Sequence, residues 1–129
     1  MTQWGWFESN GNATAEQTWL FWRVLQGELP CEYFYAVVWN DLVDKVAEMR
    51  SAIGRPWDTN EGGAKLYLTQ SECYATPGEP FRADVYNGVR FQVGSIKGTQ
   101  VDDRVPGGEI TGYHILRMVD VLNEIIREL

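Results

Sequence analysis

Apolar positions recur along the chain at steps of three and four, the period of helices with one buried face. The clearest run is Trp39, Leu42, Val43, Val46, Met49 and Ile53, closed by Gly54 and then Pro56. Asp41, Asp44, Lys45, Glu48 and Arg50 fall on the other faces, and the carboxylates read as a solvated side. A first helix precedes this one. Thr14 followed by Gln17 has capping-box spacing, and Trp19, Leu20, Trp22 and Val24 form a broad apolar surface up to Gly27. A third helix is predicted from Arg82 to Val93, with Val85, Tyr86, Val89 and Val93 apolar. Gly88 lowers its propensity and Gly94 is predicted to stop it. The fourth runs from the N-cap candidate Thr111 to the C-terminus, striped by Ile115, Met118, Val119, Leu122, Ile125, Ile126 and Leu129. Residues 55–80 read as a long connection, in which 65–69 fit a short strand or a helical turn equally well. The predicted fold is all-α: one domain, a compact array of about four helices with long loops and room for one small β-hairpin.

Three segments superimpose in register: FYAVVWNDLVDKV (34–46), FRADVYNGVRFQV (81–93) and ITGYHILRMVDVL (110–122). Apolar residues coincide at Phe34/Phe81/Ile110, Trp39/Tyr86/Ile115, Leu42/Val89/Met118 and Val46/Val93/Leu122. A small residue holds the third place in each: Ala36, Ala83, Gly112. The first two copies share an aromatic-Asn pair, Trp39-Asn40 and Tyr86-Asn87. The leading apolar residue stands five places before the aromatic one, the N′-to-N4 distance of a hydrophobic staple. Each copy therefore reads either as a repeated stapled helix start or as amphipathic helices aligned by periodicity alone. The copies begin at 34, 81 and 110, and such unequal spacing does not describe a regular solenoid.

Composition narrows the function. Eighteen acidic against eleven scattered basic residues give a net charge of −7. That disfavours nucleic-acid backbones and anionic membranes as partners. No apolar run approaches a membrane span, and the N-terminal stretch lacks the basic-then-apolar order of a secretory signal, so use inside a cell, or release by a route that needs no signal, is expected. Cys31 and Cys73 fit neither a disulfide framework nor a zinc site. Each adjoins a glutamate, Glu32 or Glu72, which raises a thiol pKa, so both are expected reduced and unreactive.

Catalytic patterns are weak. His114 is the single histidine and has no nucleophile motif beside it. Asp102, Asp103 and Glu109 are paired carboxylates without calcium-loop spacing, and residues 94–99 miss the spacing of a phosphate loop. No cofactor or metal is expected, and no enzymatic activity. Asn12-Ala13-Thr14 reads as a turn and cap rather than a glycosylation site.

The aromatics point to assembly. Trp19, Trp22 and Trp39 belong to predicted helices and to the core. Trp4 and Trp6, with Phe7, precede any core element and are candidates for docking on another subunit, the alternative being packing over their own domain. On the fourth helix Ile115, Val119, Leu122 and Ile126 alternate steps of four and three, a short seam that serves either an oligomer or the domain core.

These motifs resemble a family. WNDLVDKV, YNGVRFQVGS and GGEITGYHILRMVDVLNEII are similar to a set of small proteins encoded by phages and prophages of Firmicutes. The match takes in Trp4 to Gly11, Val38 to Val43, Tyr86 to Ser95 and Gly108 to Tyr113, in that order. Gly108-Glu109 stands where the family pattern has Gly-Asp, and Tyr86 where it has Phe. The resemblance implies a virion structural protein of a tailed phage, in its tail, fibre or neck, assembled in the bacterial cytoplasm. It implies other virion proteins as partners and carries no active site with it. Self-association into a homo-oligomer is expected alongside. The alternative is a carbohydrate- or receptor-binding module that uses exposed tryptophans.

Overall fold

The computed structural model describes residues 2–5, 8–61, 63–97 and 110–129. Four α-helices carry these residues: α1 (Ala15–Leu25), α2 (Ala36–Ala52), α3 (Ala83–Lys97) and α4 (Gly112–Arg127). Between α2 and α3 lie a two-residue ribbon, β1 (Asn60–Glu61) against β2 (Ala64–Lys65), and a single 3-10 turn at Ser71–Cys73. A second such turn, Cys31–Tyr33, joins α1 to α2. The all-α expectation holds, and the 55–80 connection contains both a small hairpin and a helical turn.

The helices start as their sequences dictate. Thr14 caps α1 by accepting from the Gln17 amide, and Gln17 returns the bond through its side chain, completing the capping box. In all three repeat copies the small third residue is the first residue of the helix: Ala36, Ala83 and Gly112. Phe34 and Trp39 are thereby N′ and N4 of α2, with ring centroids 6.5 Å apart, the predicted staple. Phe81 joins them, edge-on to Trp39 at 4.7 Å and 5.0 Å from Phe34, while Phe21 of α1 packs on Phe34 at 5.1 Å. One aromatic cluster thus locks the starts of α2 and α3 to the middle of α1, each such pair contributing roughly 0.5–1.5 kcal/mol beyond its buried area.

The array closes on itself, since α1 touches α2 and α4, and α3 touches α2 and α4. The core between them takes Trp39, Tyr86, Leu42, Val46, Met118 and Leu122, all at 1% exposure or less. Two glycines mark close approaches. A Cβ on Gly88 would lie 2.9 Å from the Cys73 sulfur, so this mid-helix glycine admits the buried Cys73 side chain of the Ser71–Cys73 turn. A Cβ on Gly112 would lie 2.6 Å from the Val24 carbonyl oxygen and 2.9 Å from the Leu25 Cα. Backbone stands on both sides there and cannot step aside. Gly112→Ala is therefore expected to cost about 1–3 kcal/mol despite the better helix propensity of alanine. A urea-unfolding midpoint equal to or above wild type would contradict the close packing of α4 on the end of α1.

Several expectations are corrected. Gly94 does not end α3, which continues to Lys97 with Gly94 buried inside it. Arg50 of α2 reaches across to this last turn, donating to the Gln92 carbonyl (2.8 Å) and to Ser95 Oγ (3.3 Å). Those contacts outweigh a glycine penalty of about 1 kcal/mol. The carboxylates of α2 are not a plain solvated face. Asp41 is fully buried and accepts from the Asn12 amide (3.2 Å), the Asn12 side chain (2.8 Å) and the Ala13 amide (3.0 Å). Asp44 accepts from Gln70 Nε2 (3.1 Å) and from the Tyr74 hydroxyl. On α1 the most deeply buried side chains are Thr18 and Phe21, while Trp19 and Leu20 are half-buried. Arg23 lies 4.9 Å over the Trp19 ring.

Candidate functional site

The segments outside the helices are fastened by side-chain amides. Asn40 donates to the Ala75 carbonyl (3.1 Å) and accepts from the Ala75 amide (2.7 Å). Asn123 grips both backbone groups of Trp4, accepting at 2.7 Å and donating at 2.6 Å. Gln92 does the same to Asp58, accepting at 2.9 Å from its amide and donating to its carbonyl. Each clamp reproduces the doubled bonds of one β-ladder pair, so a segment with no strand partner still has its polar backbone satisfied. Trp39 Nε1 adds a buried bond to the Cys73 carbonyl at 2.9 Å, and Trp57 Nε1 one to the Leu68 carbonyl at 3.0 Å.

This fastening creates a cleft. Residues 75–79, held at Ala75 by Asn40 and anchored just upstream by the Trp39 bond to Cys73, stand off from the helix starts and line a cavity of about 540 Å³. Its walls contain the leading residues of all three repeat copies, Phe34, Phe81 and Ile110. Tyr35, Ala36 and Val37 from the start of α2, and Thr111, Gly112 and Ile115 from that of α4, complete that side, with Val24 and Leu25 at the end of α1 opposite. Glu79 is the one charged side chain among the described lining residues. Two helix starts open on this space. α2 begins at Tyr35 with no side-chain cap. α4 begins at Thr111, whose amide donates to His114 Nδ1 at 3.0 Å. The volume and apolar walls suit a drug-sized body or a few side chains of another chain.

The titratable groups nearby are committed to structure. His114 Nδ1 completes a capping box on α4 in the place a Glu or Gln ordinarily takes. Cys73 is fully buried, and burial, aided by Asp84 and Glu72, pushes its thiol up to about 12. Neither cysteine is in a disulfide, and Cys31 is exposed at the cleft edge. The Tyr74 hydroxyl is raised above its ordinary range, first by its bond to Asp44 and then by burial. Glu72 is held below the usual carboxylate range by the Thr69 amide and hydroxyl and by Lys65. Among the described residues no group of three or more His, Cys, Asp or Glu is placed to hold a metal ion, and no helix is long and apolar enough to cross a membrane.

The structure redistributes the predicted site residues. Trp4 is 1% exposed and packs in the core against its own domain, so it is not a free docking anchor. Trp6 and Phe7 lie outside the described residues, as do Asp102, Asp103 and Glu109. Ile115, Val119, Leu122 and Ile126 are buried at 5% exposure or less, so the stripe on α4 is the core face of this array rather than an open seam. Trp39 and Asn40 build the cleft wall from behind. Tyr86 is fully buried, and Asn87 is half-buried at the helical position equivalent to Asn40. Trp22 is buried and Trp19 and Trp57 half-buried, so none of the described tryptophans forms an exposed stacking platform for a sugar. Among the described residues the exposed large apolar side chains are Tyr113 (69%), Leu66 (60%), Leu129 (55%) and Tyr74 (38%). The cleft itself is not legible in the sequence. Its one signal is the alignment of Phe34, Phe81 and Ile110, the three residues that meet in it. Comparison of the chain with protein-family models, with curated proteins and with solved structures returns no match.

Proposed function

We propose that this chain is a non-enzymatic structural protein of a tailed-phage or prophage particle, which assembles by seating apolar side chains of neighbouring chains, its own copies included, in the cleft at the helix starts. The observation that carries the reading is the convergence of Phe34, Phe81 and Ile110 on one apolar cavity of about 540 Å³. Among the residues that carry the resemblance to phage proteins, Ile110, Thr111 and Gly112 line that cavity. Tyr113, 69% exposed, directly follows the lining residues Thr111 and Gly112 and extends the apolar surface. With the stripe of α4 buried, the cleft and its rim are the surface proposed for contact between copies.

Light scattering over a wide concentration range tests this directly. A closed oligomer, for instance of three or six copies, is the expected result. Val37→Glu, which places a charge on the half-buried cleft wall, is expected to dissociate it while leaving the helical circular dichroism intact. A strict monomer at every concentration would remove self-assembly, and an oligomer indifferent to Val37→Glu would remove the cleft as its interface.

A further inference from the structure

The other end of α2 carries a second cleft, of about 460 Å³, which the docking reading leaves unused. The local sequence builds it. Gly54, at φ +73°, closes α2 with a Schellman turn: the Arg55 amide donates to the Arg50 carbonyl at 3.0 Å and the Gly54 amide to the Ser51 carbonyl at 3.2 Å. This turn folds Arg55 back toward Arg50, and both line the cleft.

Arg50 is 4% exposed. Its Nε donates to the Pro56 carbonyl (3.2 Å), and its Nη1 to the Gln92 carbonyl (2.8 Å) and Ser95 Oγ (3.3 Å). The two N–H groups of Nη2 have no acceptor among the described residues, and this atom is not one of those sealed from solvent. Arg55 makes no ion pair with a described residue. The Arg50 guanidinium is less basic than usual, chiefly through burial; Asp58 opposes this and the neighbouring Arg55 adds to it. The fold has brought two like charges together, and among the described residues neither guanidinium makes an ion pair. The walls are aromatic: Trp57 and Phe91 line the cleft, and Tyr67 stacks behind Phe91 at 3.9 Å.

We propose that this cleft binds a small aromatic monocarboxylate. Its carboxylate accepts from Arg50 Nη2 and from Arg55, and the Ser95 hydroxyl, already accepting from Arg50, donates to it as well. Its ring lies between Trp57 and Phe91. The carbonyl ends of α2 and α3, and Asp58, offset part of the positive charge, so a single negative charge suits the site better than two.

The test is a titration of the intact protein with benzoate, with the neutral isostere benzamide and the dianion phenyl phosphate as comparators. It is followed by NMR at the Trp57 indole N–H and the Arg50 guanidinium. Benzoate is expected to saturate with a Kd of order 1 mM, and benzamide and phenyl phosphate to bind at least ~10-fold more weakly. Arg55→Gln, an exposed change that breaks no hydrogen bond, is expected to weaken benzoate ~10-fold and leave the unfolding midpoint unchanged. The proposal fails if benzoate gives no saturable shift at these two residues up to ~20 mM. It fails equally if benzamide or phenyl phosphate binds as well as benzoate, or if Arg55→Gln binds benzoate undiminished.

Discussion

Trp39→Ala is expected to remove about 3–5 kcal/mol of stability. The indole is fully buried and meets Phe81 edge-on at 4.7 Å. Its Nε1 satisfies the buried Cys73 carbonyl at 2.9 Å. Truncation opens a cavity at the junction of α1, α2 and α3, and orphans that carbonyl at a further cost of about 1–3 kcal/mol unless water enters. Domains of this size hold only about 5–15 kcal/mol in total, so the variant stands near the edge of folding. Trp39→Phe keeps most of the ring contact and loses the hydrogen bond, so it is expected to fall between the two. Urea unfolding followed by circular dichroism ranks the three proteins. An alanine variant within about 1 kcal/mol of wild type would mean that the aromatic cluster does not hold the helix starts together. Amide exchange at Ala75 gives a second, local reading. The wall of the cleft at the helix starts hangs on Trp39 and Asn40, so exchange there is expected to accelerate in the variant even where the core stays folded.

The same residues show where sequence reading stops. The Phe34–Trp39 staple and the Thr14–Gln17 box are legible because both partners lie within five positions, and a local rule fixes their geometry. Ala36, Ala83 and Gly112 fall into register for the same reason. The clamps are not legible. Asn40 meets Ala75 across 35 positions, Asp41 meets Asn12 across 29, and Asn123 meets Trp4 across 119. On a helical pattern each of these polar residues reads as solvated, because nothing local says which loop will lie over it. The stripe of α4 is plain in the sequence, yet its spacing is identical whether the covering helix belongs to this chain or to another. Gly94 misleads in the opposite sense. Its propensity is a local quantity of about 1 kcal/mol, and the Arg50 contacts that overrule it come from another helix.

Alkaline pH is expected to destabilise this fold through Cys73. Burial, with Asp84 and Glu72 adding to it, raises the thiol from an ordinary 9.0 to about 12. In the unfolded chain the thiol loses its proton near pH 9, whereas in the folded chain it keeps it until about 12. Between those values the folded state binds more protons than the unfolded one, so stability falls as pH rises, by up to about 1.4 kcal/mol per pH unit. Below pH 9 the contribution is fully present and flat. Tyr74, raised by its bond to Asp44, acts in the same direction. Unfolding midpoints of wild type and Cys73→Ala, measured from pH 8 to 11, separate the thiol from the other groups that titrate there. The alanine variant is expected to start lower, because a buried side chain is truncated against Gly88, but to decline less steeply. Cys31→Ser, changed at an exposed thiol, is expected to keep the wild-type slope. Parallel decline in wild type and Cys73→Ala would show that the thiol ionises as readily in the fold as outside it. The Ser71–Cys73 turn would then be open to water, and the wall that Trp39 and Asn40 anchor would be looser than its hydrogen bonds imply.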